Sequence, residues 1–462
     1  MKKTTITATI KGGNQLTGEI TIVPNKNAVL PAIAASILTD GQMEYHNLPY
    51  SPDVEKMLKT LSKMGAAVDD LSATISICCK NISTHIVPSD DINDMQAGYL
   101  LAGPLLARFG KASIPLSSGC RLGYRGFEDH AEYFKKLGVR FSVMENYVHF
   151  ELIESIKDER ITVKDNAMYE ERSVLYSSPF VTPTENILML LSGSSRFNTK
   201  VSGIAQEPHI AQLIELLKKM GANIKGSGSC LWVAGKDILS GATFTAEPDH
   251  VSYFGFAVTA AMTKSDITLC VPTPLPEGII HMNEFLEKTG VKLELVKNGV
   301  KIFGSQSAFT PNETFPKFDT DVFKVNPGPW PMFPVDCLPS MLAWSSMNAN
   351  PLTSTRLNNW LYSDGLKYVP VLREMGAKIG SFDDQRATVQ GTLNGNPYNI
   401  SADITAPDVI EGCRAVISCA LAGKGTYEIK NVQYIMRREP NFFETLKHCG
   451  ADIEITHFEE TT

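Results

Sequence analysis

The sequence has no CxxC pair, and its nine cysteines are an odd number, so neither a zinc–thiolate cluster nor a disulfide framework is expected. Reduced thiols in a cytoplasmic compartment are the simpler reading. No stretch approaches the roughly 18 apolar residues of a membrane span. The start, MKKTTITATIKGG, has a basic pair but no apolar segment behind it, which argues against a secretory signal. An excess of positive charge is also missing. With 43 Lys and Arg against 50 Asp and Glu the net charge is -7, so nothing draws the whole chain to nucleic acid or an anionic membrane, although a local basic site is not excluded. GxGxxG after a strand, GxxxxGK[ST], HExxH and GxSxG are all absent, and dinucleotide, P-loop, zincin and hydrolase readings lose their usual support.

What is present is a well-packed composition, 43% hydrophobic and 20% charged, in 462 residues. That length suggests about three average domains or two large ones. One pattern returns six times: LSKMGAAV, FKKLGVRF, LKKMGANI, LEKTGVKL, LREMGAKI and LKHCGADI, around Gly65, Gly138, Gly221, Gly290, Gly376 and Gly450. Each reads as the end of an amphipathic helix, a glycine cap and the start of an alternating strand. The glycines recur 69 to 86 residues apart, too long for a solenoid repeat and suited to a compact α/β subdomain copied six times. Around each marker a strand precedes a first helix, as in GEITIV (18–23) before AVLPAIAASIL (28–38). A second helix, from about Val54 to Met64, and strands such as ATISICC (73–79) follow. Short alternating strands predict sheets with one face on the helices. Three repeats a side predict two domains meeting near residues 230–245, with the N-terminal strand crossing over to complete the second and a ligand cleft between them.

Four segments can carry chemistry. In VPNKNAVLPAIAA, Asn27 is a candidate helix cap and Lys26 stands where helix N–H donors favour an anion, though a lysine there is more often a solvated surface residue. Cys120 lies in a polar loop beside Arg121 and Arg125, conditions that lower a thiol pKa, with Glu128, Asp129 and His130 close behind. In FKVNPGPWPMFPVDCLPSM the prolines predict a rigid loop, and Asp336 is either a general base or, more simply, the cap of the next helix. Near the end, Arg437 and Arg438 either bind an anion or pair with Glu439 and Glu444.

These residues carry a resemblance. PNKNAVLPAIAA, GPLLARFG, SGCRLGYR, TPTENILML, AQEPHI, EPDHVSYFGFAVTAA, FPVD and VPVLREMGAKI, in that order across nearly the whole chain, resemble the enolpyruvyl transferases. The resemblance implies two inside-out α/β domains, each of three βαβαββ subdomains: residues 24–242 with a lid loop around Cys120, and residues 1–23 plus 243–462. It implies transfer of the enolpyruvyl group of phosphoenolpyruvate to a hydroxyl of UDP-N-acetylglucosamine, releasing phosphate, in peptidoglycan precursor synthesis. It also implies a cytoplasmic monomer needing no cofactor or metal. Cys120 matches the general acid and Asp336 the residue that takes the hydroxyl proton. Lys26, Arg125 and Arg437 match the cations around the phosphate. Asn27, Gln96, Arg125, Glu128, Asp129, His130, Thr182 and Asp336 fall where the nucleotide sugar is bound.

Departures accompany the likeness. A family arginine is here Gln96, the asparagine–arginine pair before the VPVL helix is Asp364 and Gly365, a further arginine is Ile410, and a glycine is Thr182. Two of these arginines grip the enolpyruvyl carboxylate in the family, and bidentate contacts of that kind are costly to lose. Arg356, Arg373 and Arg414 are nearby candidates to compensate. The alternatives are therefore the same chemistry on another nucleotide or sugar, such as UMP, or a non-catalytic nucleotide-sugar-binding relative.

Overall fold

The structure is a computed structural model that describes residues 3–70, 74–92, 95–116, 126–153, 172–311, 322–359, 365–399 and 401–460. Six predominantly apolar helices have no broad polar face to offer water and are surrounded by protein. They are α1 (Lys26–Ala35), α2 (Ala102–Phe109), α3 (Val181–Ser192), α4 (His250–Met262), α5 (Leu338–Ser345) and α6 (Ile410–Ala422). Every residue of α4 and α5 is buried.

Six further helices are amphipathic: Pro52–Lys63, Glu128–Lys135, Pro208–Lys219, Glu277–Lys288, Val369–Glu374 and Phe442–His448. Each is followed by one of the six repeat glycines, and all six glycines have φ between 83 and 112°, the left-handed region that a side chain disfavours. The cap closes with paired bonds to the last turn. Gly65 N–H reaches Ser62 O and Ala66 N–H reaches Leu61 O, and the same pair recurs at Gly221, Gly290, Gly376 and Gly450.

Five four-stranded sheets share one pairing pattern, a parallel edge pair followed by two antiparallel pairs. In one, Arg172–Leu175 runs parallel to Asn198–Ser202, which pairs antiparallel with Cys230–Ala234, itself antiparallel to Asn223–Ser227. The sixth sheet has Lys111–Pro115, Tyr147–Leu152 and Val139–Met144, with a single parallel bridge from Ile86 to Ser113 on the side where a fourth strand lies elsewhere. Strand residues alternate between buried and exposed, as in Thr243–Thr245 and Thr426–Lys430, so each sheet puts one face on the helices.

The chain forms two compact units. Residues 24–116 and 126–247 hold α1, α2 and α3 with three of the sheets; residues 3–23 and 248–460 hold α4, α5 and α6 with the other three. Each unit has its own continuous apolar core. This is the inside-out βαβαββ architecture, three copies to a unit. One local expectation is corrected: GEITIV does not open the repeat that contains α1. Its strand, Thr17–Thr21, pairs with Asp266–Cys270, while Thr243–Thr245 takes the place beside Gln42–His46. Both segments alternate equally well, and the partner is chosen by non-local pairing that no local pattern encodes. The N-terminal strand Lys3–Lys11 lies between Thr426–Lys430 and Asp452–Glu460.

The caps differ in what a methyl group would meet. At Gly221 an added Cβ touches nothing, whereas at Gly65 it falls 2.7 Å from Asn81 O. Gly221→Ala should cost about 1–2 kcal/mol for the left-handed backbone alone, and Gly65→Ala more, read as shifts in denaturant midpoint. Equal losses would contradict the cap geometry.

Candidate functional site

In the unit formed by residues 24–116 and 126–247, α1 begins at Lys26, and its cap is Asn25, whose side chain accepts from Asn27 N–H at 2.9 Å. Asn27 is thus inside the first turn, and its proposed capping role passes to Asn25. Lys26 is buried, not solvated: its ammonium lies 2.8 Å from Asp53 Oδ2, with 9% and 5% of the two side chains exposed. Asp53 stands in the first turn of Pro52–Lys63, capped by Ser51. A buried ammonium needs such a partner. Sequence reasoning missed Asp53, because its only signal is an acidic residue after a cap.

The TEN motif of α3 organises the other half of this unit. Asn186 Oδ1 accepts from Gly103 N–H at 2.6 Å, which fixes the amide's orientation. Its Nδ2 then donates to Tyr99 O and to His130 Nδ1, both at 2.9 Å. His130 Nδ1 is therefore an acceptor, and Nε2 carries the hydrogen directed toward Thr182 Oγ1 at 3.4 Å. The ring is buried against Tyr99, and that burial pushes the His130 pKa down to about 3. Thr182 is held by this ring at the start of α3. Gln96 reaches Gly126 O at 3.5 Å, and its buried Oε1 has no partner among the described residues. Glu128 and Asp129 are exposed on the first turn of Glu128–Lys135, where the helix N-terminus favours acids. Cys120, Arg121 and Arg125 lie outside the described residues.

In the other unit the proline-rich segment folds back on itself through a bridge between Pro327 and Phe333 and enters a one-turn helix, Val335–Cys337, ahead of α5. Asp336 sits in that turn and makes no capping bond to α5. Its Oδ2 instead accepts from Arg438 Nη2 at 3.0 Å. Arg438 is the hub of an ionic cluster. Its Nη1 lies 3.2 Å from both oxygens of Asp249, and its Nε lies 3.2 Å from Glu411 Oε1. Asp249 is also the cap of α4, accepting from Val251 and Ser252 N–H. Arg414 joins from α6, with Nε 2.7 Å from Glu411 Oε2 and Nη2 on Glu439, which in turn accepts from Ser252 Oγ at 2.6 Å. Arg438 thus pairs with Asp249, Asp336 and Glu411, and not with Glu439 or Glu444.

Burial would raise the Asp249 carboxyl, but Arg438, His250 and the two helix N–H groups outweigh it and hold it below the usual range. At Glu411 burial wins over Arg414 and Arg438, and the carboxyl is pushed up. Burial also lowers His250 and raises Cys337. Asp336 is the cluster's one open member: its side chain is 36% exposed, against 4% for Arg438 and 1% for Asp249. A carboxylate presented this way can accept a proton from a bound hydroxyl. Arg437 ends the neighbouring two-turn 3-10 helix Val432–Arg437 and is half-buried.

Of the three candidates to replace the arginines missing at Gly365 and Ile410, Arg414 and Arg373 are engaged elsewhere. Arg414 has no exposed side-chain surface. Arg373 donates to Ile379 O at 2.6 Å and Ser381 Oγ at 2.8 Å. Arg356 is exposed on the strand Ser354–Asn358. Gly365 is buried with its carbonyl on Asn359 Nδ2, and Ile410 packs against the core at the start of α6. Asp364 lies outside the described residues.

Two predictions follow from these contacts. The unfolded histidine pKa of about 6.5 exceeds the folded value near 3, so the stabilisation from neutral His130 is complete above the first and lost as pH falls toward the second. His130→Asn should therefore flatten the loss of stability between those pH values, measured by denaturant unfolding; an unchanged slope would contradict the buried neutral ring. Gly255 faces Arg414, whose Cδ lies 2.3 Å from where a Cβ would stand. Gly255→Ala should destabilise by about 1–3 kcal/mol through overpacking, and an unaffected melting temperature would rule out the close approach.

Comparison with known proteins bears on the same residues. The sequence profile of the EPSP synthase (3-phosphoshikimate 1-carboxyvinyltransferase) family matches residues 10–446. The chain is 31% identical over 450 residues to a UDP-N-acetylglucosamine 1-carboxyvinyltransferase of Desulforapulum autotrophicum, covering 96% of this chain and 98% of that one. It is 30% identical over 449 residues to the enzyme of that name from Borreliella burgdorferi, with the same coverage. Among solved structures, the enolpyruvyl transferase NikO from Streptomyces tendae superposes with a TM-score of 0.79 at 16% identity, over 99% of this chain and 100% of that one. An EPSP synthase from Acinetobacter baumannii gives 0.69 at 16% identity, over 98% and 100%. The fold, the repeat and the full-length match agree: the chain belongs to the EPSP synthase family of enolpyruvyl (carboxyvinyl) transferases.

Proposed function

We propose that the protein transfers the enolpyruvyl group of phosphoenolpyruvate to a hydroxyl of UDP-N-acetylglucosamine, releasing phosphate, as a step in making peptidoglycan precursors. The full-length likeness to transferases of that name supports the acceptor. The structural observation that carries the chemistry is Asp336, a carboxylate fixed through one oxygen at the open edge of a buried ionic cluster.

In the proposed reaction Asp336 takes the proton of the attacking hydroxyl as its oxygen bonds to the middle carbon of phosphoenolpyruvate. Cys120 delivers a proton to the methylene carbon, which becomes a methyl group. The tetrahedral adduct then returns a methyl proton to the Cys120 thiolate and expels phosphate, which leaves with the proton taken up by Asp336, and the enolpyruvyl ether remains. Lys26, Arg125 and Arg437 are assigned to the phosphate, whose charge calls for donors that stay protonated. Asn27, Gln96, Arg125, Glu128, Asp129, His130, Thr182 and Asp336 are assigned to the nucleotide sugar, with Thr182 near its diphosphate and His130 holding Thr182 in place. A second reading keeps the chemistry on another nucleotide or sugar; Gly365 and Ile410 weigh instead toward a non-catalytic binding relative, because the enolpyruvyl carboxylate lacks two guanidinium partners.

Phosphate release from phosphoenolpyruvate separates these readings when UDP-N-acetylglucosamine, UMP and shikimate 3-phosphate are offered in turn. The proposal expects release with the first; release with UMP alone would move the assignment to the second reading. No release with any, alongside measurable nucleotide binding, would make the chain a binding protein. Asp336→Asn and Cys120→Ser should each lower kcat by about 10²–10⁴-fold with the fold intact, and full activity in either would remove that residue's role. An epoxide that alkylates active thiols, such as fosfomycin, should label Cys120 in the wild type and not in Cys120→Ser.

A further inference from the structure

Arg438 is fixed before Asp336 is considered. Asp249 holds its Nη1 through both oxygens at 3.2 Å, Glu411 lies 3.2 Å from its Nε, and its side chain is 4% exposed. Both holders are themselves anchored. Asp249 caps α4, and Glu411 is gripped by Arg414, which is sandwiched between Phe256 and Phe442 at 5.1 Å from each ring. The guanidinium therefore already has two buried counter-charges, and the remaining Nη2 is directed at Asp336 Oδ2.

Asp336 lacks any comparable anchor. It sits in a single helical turn, makes no capping bond, and among the described residues its Oδ1 accepts no hydrogen bond. A cluster built only for stability would have no use for this carboxylate. Two guanidinium groups already face the three buried carboxyls of Asp249, Glu411 and Glu439, and a fourth adds negative charge at the solvent edge. What the contact does accomplish is geometric. One oxygen is pinned to a rigid donor, and the other is left facing outward in a defined direction. The other titratable groups around it are His250, Asp249 and Glu411 on the packed helices and Cys337 beside it in the chain, all buried.

We propose that Arg438 is a positioning residue for the transfer reaction: it clamps Asp336 Oδ2 so that Oδ1 is aimed at the acceptor hydroxyl, with Asp249 and Glu411 setting the clamp. The inference rests on Asp336 acting as the base. Charge alone does not suffice for such a clamp: the planar guanidinium donates from Nη1 to Asp249 and from Nη2 to Asp336 in fixed directions, while Glu411 lies 3.2 Å from Nε as an ion pair without a hydrogen bond.

The test is a double-mutant cycle on the full-length protein, with phosphoenolpyruvate and UDP-N-acetylglucosamine as substrates and stoichiometric enzyme for the slow variants. Arg438→Lys should lower kcat by about 10²-fold, the cost of a misplaced reacting group, while both KM values stay within about threefold. Arg438→Gln should lose more than Arg438→Lys. In the Asp336→Asn background neither change should cost more than about twofold, since no base remains to be positioned. Glu411→Gln, which keeps the side-chain volume and is tested in case the Arg438 variants fold poorly, should show the same pattern at smaller size. Equal losses with and without Asp336, or unchanged kcat in Arg438→Lys, would overturn the inference and leave Arg438 a packing residue. Absence of phosphate release in the wild type is a distinct result, which would remove the proposed function and this inference with it.

Discussion

The guanidinium of Arg438 is the constraint on which the unit of residues 3–23 and 248–460 depends. It joins the cap of α4 at Asp249, the first turn of α6 at Glu411 and the short helix before α5 at Asp336. Those three central helices otherwise meet mostly through apolar side chains, which pack well but do not set a unique rotation or register, with the Thr259–Ser418 hydroxyl pair as a further polar link between α4 and α6. Removing one partner of a buried pair strands the other charge, at about 3–5 kcal/mol. The same cluster that orders the helices therefore restrains the carboxylate at its edge. Lys26 and Asp53 form the smaller counterpart in the other unit, binding the start of α1 to the helix Pro52–Lys63.

Much of the fold was legible because the repeat is written in residues with local consequences. A glycine after an amphipathic helix announces a left-handed cap, and all six markers have that conformation. Alternating apolar residues announced the strands. Pairing was not legible: nothing in GEITIV distinguishes a strand beside Gln42–His46 from one beside Asp266–Cys270. Length suggested about three average domains or two large ones, and the sixfold repeat pointed to two units of three copies each.

The site was legible by residue type and poorly by partner. Asp336 was a simple helix cap on local grounds, yet its partner is Arg438, about a hundred residues later in the chain. Lys26 resembled a surface lysine because Asp53, whose charge permits its burial, belongs to the next helix. Arg414 was a candidate to replace a missing substrate contact, and only its packing shows it sealed between Glu411 and Glu439. Charges are interpretable once their counter-charges are known, and those counter-charges come from distant segments. Cys120 and Arg125 stood out locally as a thiol beside arginines in a polar loop, and their proposed roles come from the family likeness.

Gly365 and Ile410 give the account its sharpest internal tension. Family membership, the repeat and Asp336 argue for enolpyruvyl transfer, while two carboxylate-gripping arginines are absent and Arg414 is buried away from that task. Product identity bears on this most directly. The protein should be incubated with phosphoenolpyruvate and UDP-N-acetylglucosamine, and the nucleotide sugar examined by mass spectrometry and proton NMR. The expected product is heavier by one enolpyruvyl group, with two vinyl protons on the terminal methylene carbon beside the ether-bearing carbon. Recovery of unchanged UDP-N-acetylglucosamine, under conditions where both substrates are shown to bind, would contradict it.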